Sequence, residues 1–186
     1  MERVYNVEPV DYEGIINEEK PFADNVANWF KYLEVNKILD VGCGPGIYVD
    51  SFIDAGIKSI GYDADPRVKE NPNCRHVSMF DVNEKADCVI CFEVAEHIHE
   101  DNNDDIVDAL YNMMLPGGRL VFSAAQPGQG GDGHINCKAP LYWMEKFLGK
   151  GLHKDDWENV TMKAYLLHHG VTFGWFINNA MVFKKP

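Results

Sequence analysis

The stretch Lys37-Ile-Leu-Asp-Val-Gly-Cys-Gly-Pro-Gly46 decides how the rest of the chain is read. Its first five residues, Lys37 to Val41, form a short apolar run of strand length. Gly42, Gly44 and Gly46 then let the backbone turn sharply and let a ligand approach with no Cβ in the way. A helical pattern follows to about Ala55, where Gly56 supplies a left-handed stop. A strand, a glycine turn and a helix in that order place a ligand at the strand's carboxyl end.

Working outward, strands and helices alternate. Ser59 to Asp63 reads as a second strand, with Pro66 opening a short helical turn. His76 to Met79 reads as a third strand, Cys88 to Phe92 as a fourth and Leu120 to Ser123 as a fifth. A helix before the glycine loop runs from about Glu18 to Leu33, with Phe22, Val26, Trp29, Phe30 and Leu33 on one face and Pro21 in its first turn. Between the fourth and fifth strands, Ile106, Val107, Leu110, Met113 and Met114 form a helical stripe behind Asp101, Asn102 and Asn103, which offer N-caps. Pro140 to about Leu148 is a further helix. Val160 to Leu167 and Trp175 to Phe183 read as two closing strands in an antiparallel hairpin. The fold class expected is α/β: a Rossmann-like, seven-stranded, mostly parallel sheet with helices on both faces and a C-terminal antiparallel hairpin.

The chain has 186 residues, the length of one domain, with residues 1–16 as an N-terminal arm or lid. No apolar run is long enough to cross a bilayer and the start lacks a signal-peptide core, so a cytoplasmic location is expected. Lys and Arg number 17 against 29 Asp and Glu, a formal charge of -12 that repels phosphate backbones and counts against a nucleic acid partner. The five cysteines suggest no disulfide framework. Cys88 and Cys91 have the spacing of a metal knuckle, but on a strand they point to opposite faces and read as core.

The glycine loop alone does not separate a dinucleotide from other ligands. Ile47 stands where a dinucleotide fingerprint needs a small residue, and Asp40 would oppose a pyrophosphate while suiting a cationic amino group. Asp63 ends the second strand at about the 20-residue step of a ribose-binding acid. Asp81 follows the third strand. With Ile38 to Gly46, Ile60 to Asp63, Phe80 to Val82, Val89 to Ile98 and Leu115 to Val121 in order, the chain resembles the class I S-adenosylmethionine-dependent methyltransferases. That resemblance implies S-adenosyl-L-methionine as methyl donor. Asp40, Gly42, Cys43, Gly44 and Gly46 would hold its methionine part, Asp63 with Ala64 the ribose, Asp81 with Val82 the adenine, and Glu93 would border the same site. Taken singly, Asp63 and Asp81 read better as solvated loop acids; both together, at strand ends in phase with the glycine loop, read as binding residues.

Glu93-Val-Ala-Glu96-His97, at the mouth of the fourth strand, resembles a motif of ubiquinone-pathway and small-RNA O-methyltransferases. The resemblance implies a divalent cation held by Glu93, Glu96, His97 and His134, the last in the glycine-rich loop Gln126 to Asn136. Such an ion polarises an acceptor hydroxyl. The alternative is a metal-free site in which a glutamate caps the next helix, His97 lines the pocket, and His97 or His134 acts as general base. The loop suits a gate. Tyr142 and Trp143 are either an acceptor wall or core, Tyr5 and Tyr12 are weaker candidates to cover the donor, and His99, His168 and His169 read as surface or strand residues.

The function expected is O-methylation of a small acceptor, sugar-like or phenolic. A protein or RNA methyltransferase, a catalytically idle subunit of a complex, and a lyase or aminopropyl transferase using the same donor stay open. The acceptor, the atom methylated and the oligomeric state are not legible in the sequence.

Overall fold

The strand that precedes the glycine loop, β1 (Lys37–Val41), lies inside a seven-stranded sheet in the computed structural model, which describes residues 12–186. The others are β2 (Lys58–Asp63), β3 (Cys74–His76), β4 (Ala86–Phe92), β5 (Met114–Ser123), β6 (His153–Lys154) and β7 (Met181–Lys184). Their order is β3-β2-β1-β4-β5-β7-β6. Pairs β1–β2, β1–β4, β2–β3 and β4–β5 are parallel, whereas β7 runs antiparallel to β5 and to β6. Strand order reverses at β1, whose neighbours are β2 and β4. That is where an open α/β sheet leaves a crevice at its carboxyl edge.

Strands β1, β4, β5 and β7 divide their side chains between two cores. Cys88 and Ile90 of β4 enter one cluster with Phe22, Phe30, Phe52, Leu166 and Phe176. Val89 and Cys91 enter the other with Ile106, Leu110, Trp143 and Phe147. The two cysteines therefore face opposite sides, as the two-residue period of a strand requires. Helices α1 (Tyr12–Phe30), α2 (Ile47–Asp54), α5 (Asp156–His168) and α6 (Gly174–Asn179) supply the first layer, and α3 (Asn103–Met113) and α4 (Pro140–Gly149) the second.

Several expected elements are corrected. Val160 to Leu167 is helix, not strand, and lies within α5; Trp175 to Asn179 belongs to α6, and only Met181–Lys184 pairs in the sheet. The hairpin partner of β7 is instead the two-residue β6, with both helices between them. Met162 and Leu166, four residues apart, face the core, and the Asp155 side chain accepts from Glu158 N at 2.8 Å to cap the helix. Val160, Ala164 and Leu167 make the outer face apolar too. An apolar residue on every side hides a 3.6-residue period. The third strand comes earlier than expected, because Met79–Asp81 is a 3₁₀ turn. Helix α1 begins upstream of Glu18 and carries Pro21 inside it, and Asn25 Nδ2 donates to the Pro21 carbonyl. At the start of α3, Asn102 holds the N-cap position but its side chain caps nothing. Of the expected arm, Tyr12 to Ile16 forms the start of α1, while residues 1–11, Tyr5 among them, lie outside the described residues.

Candidate functional site

The glycine loop is locked onto β2 by backbone bonds. Gly42 N and Cys43 N both donate to Tyr62 O, at 2.7 and 3.2 Å, and Gly46 N donates to Cys43 O at 2.9 Å. All three glycines have positive φ, so an L side chain at any of them strains the turn. Gly42 is also closely covered: a Cβ there would lie 2.3 Å from a Val94 methyl. Gly44 differs, with nothing within 4 Å of where its Cβ would be. Open space over that one glycine is the room a ligand needs.

Asp63 ties the loop to the end of β2. Its Oδ2 accepts from Gly44 N and its Oδ1 from Asp65 N, each at 2.8 Å. Asp40, one residue before β1 ends, is 2% exposed, and its Oδ2 has no partner. Burial first, and then the Asp63 charge, push its carboxyl up to about 8. Burial also raises Asp63, against the pull of its backbone donors. Cys43 is buried against Cys74, Val49 and Val68. Ala64 is half-buried and its carbonyl is 3.0 Å from His76 Nε2. Asp81 is exposed in its 3₁₀ turn, and Val82 packs half-buried on the sheet core.

The mouth of β4 is held differently. Glu93 carries φ 52, the one positive φ of a non-glycine among the described residues. Such a backbone costs on the order of 1 kcal/mol and persists where surrounding contacts fix it. Here Glu93 N donates to Ser123 O at 3.0 Å, and Gln129 Nε2 donates to Glu93 Oε2 at 2.6 Å. Asn179 Nδ2, at the end of α6, donates in turn to Gln129 Oε1 at 2.8 Å. Glu96 is fully buried; its Oε1 accepts from Ala125 N at 3.0 Å, and its Oε2 has no partner. Burial and the neighbouring Glu93 charge push Glu96 up to about 8. Glu96 therefore caps no helix.

His97 and His134 meet edge to face, ring centroids 5.0 Å apart at 78°. Burial, and then His134, lower His97, which favours the neutral imidazole that a proton acceptor or a metal ligand must be. One ligand atom each from Glu96, His97 and His134 lie within 4.8 Å of one another. The expected fourth ligand, Glu93, falls outside that group but abuts Glu96 closely enough to perturb it. A side chain at Gly131 would run into the His134 ring, 2.3 Å away, so the glycine-rich loop can fold flat against that imidazole.

That loop is pinned rather than free. Ile135 N and Asn136 N donate to Glu96 O at 2.9 and 3.0 Å, and buried Asn136 donates to Asn103 Oδ1 at 2.7 Å. Trp143 packs in the core at 5.3 Å from Phe122 and is no acceptor wall; Tyr142 stays half-buried and its hydroxyl accepts from Asn103 Nδ2. The Arg67 guanidinium lies over the Tyr12 ring at 4.2 Å, and burial first and then the Asp63 charge raise the Tyr12 hydroxyl, so it stands near the donor-side acid. His99, His168 and His169 are exposed.

Sequence reasoning missed three side chains. Glu19 of α1 accepts from Tyr48 Oη at 3.1 Å and is raised by burial, with the Glu93 charge adding to it. Gln129 and Asn179 fix Glu93. None belongs to a motif, and only the position of Gln129 in the glycine-rich loop marks it at all. Asp40, Asp63, Glu19, Glu93 and Glu96 thus share one region, and no ion pair with lysine or arginine among the described residues reaches any of them. Buried acids without a counter-charge favour a cationic ligand.

A family profile described as "Methyltransferase domain" matches residues 16–160. Among curated relatives, the ubiquinone biosynthesis O-methyltransferase of Klebsiella pneumoniae is 26% identical over 138 residues, covering 63% of this chain and 53% of that protein. The mitochondrial ubiquinone biosynthesis O-methyltransferase of Rattus norvegicus is 29% identical over 151 residues, covering 69% and 41%. The chain spans about half the length of the curated relatives it matches. The crystal structure of a SAM-dependent methyltransferase from Archaeoglobus fulgidus superposes with a TM-score of 0.66 at 15% identity, covering 94% of this chain and 100% of that one.

Proposed function

Because this chain belongs to the methyltransferase-domain family, we propose that it is an S-adenosylmethionine-dependent O-methyltransferase acting on a small acceptor, sugar-like or phenolic, as a single catalytic domain. The observation that carries the reading is the uncompensated acid cluster around an open glycine loop. A ligand with a sulfonium and an amino group, and no phosphate, fits that charge. Asp40 and the turn Gly42 to Gly46 bind the methionine part. Asp63, oriented by Gly44 N and Asp65 N, keeps lone pairs for the ribose hydroxyls, beside Ala64. Asp81 accepts from the adenine amino group and Val82 gives the ring an apolar edge. Glu93 closes the site from β4.

The donor supplies a methyl group already activated for in-line displacement by an acceptor oxygen. What is left to the chain is to position that oxygen, exclude water and receive a proton. His97, held neutral by burial, and His134 stand where a proton acceptor is needed. Glu96, His97 and His134 also suit a divalent cation, with Glu93 next to them: nitrogen and oxygen donors in one cluster, and a buried carboxylate oxygen with nothing to bind. Bound there, a cation would lower the pKa of the acceptor hydroxyl. Oxygen as the methylated atom is supported by the names of the curated relatives. The acidic balance of the chain disfavours an RNA acceptor. No helix among the described residues is long and apolar enough to cross a membrane.

Calorimetric titration of the chelator-stripped chain with S-adenosylhomocysteine, then with manganese, tests the assignment. Expected are micromolar binding of S-adenosylhomocysteine to the wild type and to His134→Ala alike, and manganese binding weakened at least about tenfold in His134→Ala. A folded chain that ignores S-adenosylhomocysteine sinks the donor site. Manganese binding indifferent to His134→Ala removes the cation and leaves the two histidines as bases. Methylation of a panel of phenols and sugars, with and without the ion, then identifies the acceptor class.

A further inference from the structure

Glu19 of α1 forms no ion pair among the described residues, although its neighbour Lys20 pairs with Asp24. Its Oε2 instead accepts from Tyr48 Oη at 3.1 Å, and burial raises its carboxyl. Tyr48 is buried at the start of α2. Its ring is held edge to face between Phe22 of α1 and Phe92 of β4, with centroids 5.9 and 5.3 Å away. Phe22 lies one helical turn after Glu19, and Phe92 immediately precedes Glu93. One phenol hydroxyl therefore stands between the two glutamates and feels the charge of both. A third acid joins them from β1. Ile38 enters the core that carries α1 and α2, and Asp40, two residues on, faces the same way by the strand period. Tyr48 feels the Asp40 charge as well. Asp40 is 2% exposed and its Oδ2 has no partner, nor has the buried Oε1 of Glu93.

We propose that Glu19 is a binding residue for the donor: with Asp40 and Glu93 it receives the ammonium of the methionine part. The inference rests on the donor site proposed above and adds to it an acid contributed by α1. A carboxylate taken out of water with one neutral hydroxyl for a partner costs free energy until a cation arrives. An ammonium brings a positive charge and three N–H donors, and the three carboxylates come to meet it from three separate elements. The sheet order puts them at the correct end of the ligand. Asp63 ends β2 on one side of β1, and Glu93 follows β4 on the other. A donor laid across the end of β1 with its ribose on Asp63 therefore carries its amino acid toward Tyr48 and the glutamates. A bond that merely fastened α1 to α2 would need no charge, because a neutral amide accepts from Tyr48 Oη equally well.

Glu19→Gln separates the two roles, since it keeps an acceptor for Tyr48 Oη and removes only the charge. Calorimetry of the full chain, wild type and variant, with S-adenosylhomocysteine and with its desamino analogue reads the difference. Affinity for S-adenosylhomocysteine should fall about tenfold in the variant. Affinity for the desamino analogue, which has no ammonium to offer, should change less than about twofold. The melting temperature of the ligand-free variant should not fall, because a buried charge without a counter-charge has gone. A variant that binds S-adenosylhomocysteine as tightly as the wild type overturns the proposal, and so does an equal loss for both ligands. Methyl transfer lost with S-adenosylhomocysteine affinity intact overturns it too, and assigns Glu19 to the acceptor. A folded wild type that binds neither ligand fails earlier: it removes the donor site, and this assignment with it.

Discussion

The two halves of the site are built on opposite principles. On the donor side, the shape is set by backbone: glycines of positive φ, two amides on Tyr62 O, and a carboxylate clamped between Gly44 N and Asp65 N. On the acceptor side, side chains carried in from distant elements do the holding: Gln129 on Glu93, Asn179 on Gln129, Asn136 on Asn103. A backbone-built half changes little with side-chain identity away from its few fixed positions. A half built from long side chains can adapt to an acceptor, and it fails when one link is cut. Val94 touches both, since its methyls fill the space over Gly42 while its neighbours Glu93 and Glu96 serve the other half. The halves are therefore adjacent but separately supported, and that separation can be measured.

The largest effect should come from Asp63→Ala. It removes the acceptor of two amide bonds together with the acid that meets the ribose, and charged hydrogen bonds contribute about 1.5–3 kcal/mol each. S-adenosylhomocysteine affinity should fall roughly a hundredfold by calorimetry. A fall below about threefold would show that the backbone alone shapes the donor half. Next in size is Gln129→Ala, which frees Glu93 from its link to α6. Methyl transfer should slow about tenfold while S-adenosylhomocysteine affinity, to which Glu93 contributes only at the edge of the donor site, falls less than about threefold. Equal losses in both would break the distinction between the halves. Gln129→Glu, which sets an acid against Glu93, should slow transfer further.

The smallest effect is on stability. Asp40 is raised to about 8 and Asp63 is raised as well, so the folded chain holds protons that the unfolded chain releases near pH 4. Stability is then greatest at low pH within that window and is lost as pH climbs toward 8. The melting temperature of the ligand-free chain should fall by about 5 °C between pH 5.5 and 8, and saturating S-adenosylmethionine should flatten the slope by supplying the missing positive charge. A melting temperature that does not fall over this range would mean that Asp40 is ionised without a ligand.

Sequence was a good guide wherever the chemistry is local. The run Lys37–Val41 is strand residue for residue as expected, because a short apolar run and a following glycine turn are properties of neighbours in the chain. Asp40, Asp63 and the loop glycines lie together for the same reason: consecutive parallel strands end at one edge. The acceptor half was only partly legible. The Glu96–His97 pair carries a motif, but Glu19, Gln129 and Asn179 reach the site from three segments at least 50 residues apart in the chain, with no spacing to betray them. The C-terminal third misled for a specific reason, since α5 has apolar residues on its outer face that belong to no core of this chain.

By itself, then, the sequence determined the α/β class, the glycine turn and the acids that follow the strands, because those follow from covalent neighbours and side-chain period. Only the tertiary structure decided that Asp40 and Glu96 are buried without counter-charges, that His97 and His134 meet, and that Gln129 braces Glu93. Burial and pairing depend on which distant segments pack together, and the free energy that selects the packing is summed over the whole fold rather than written in any stretch of it.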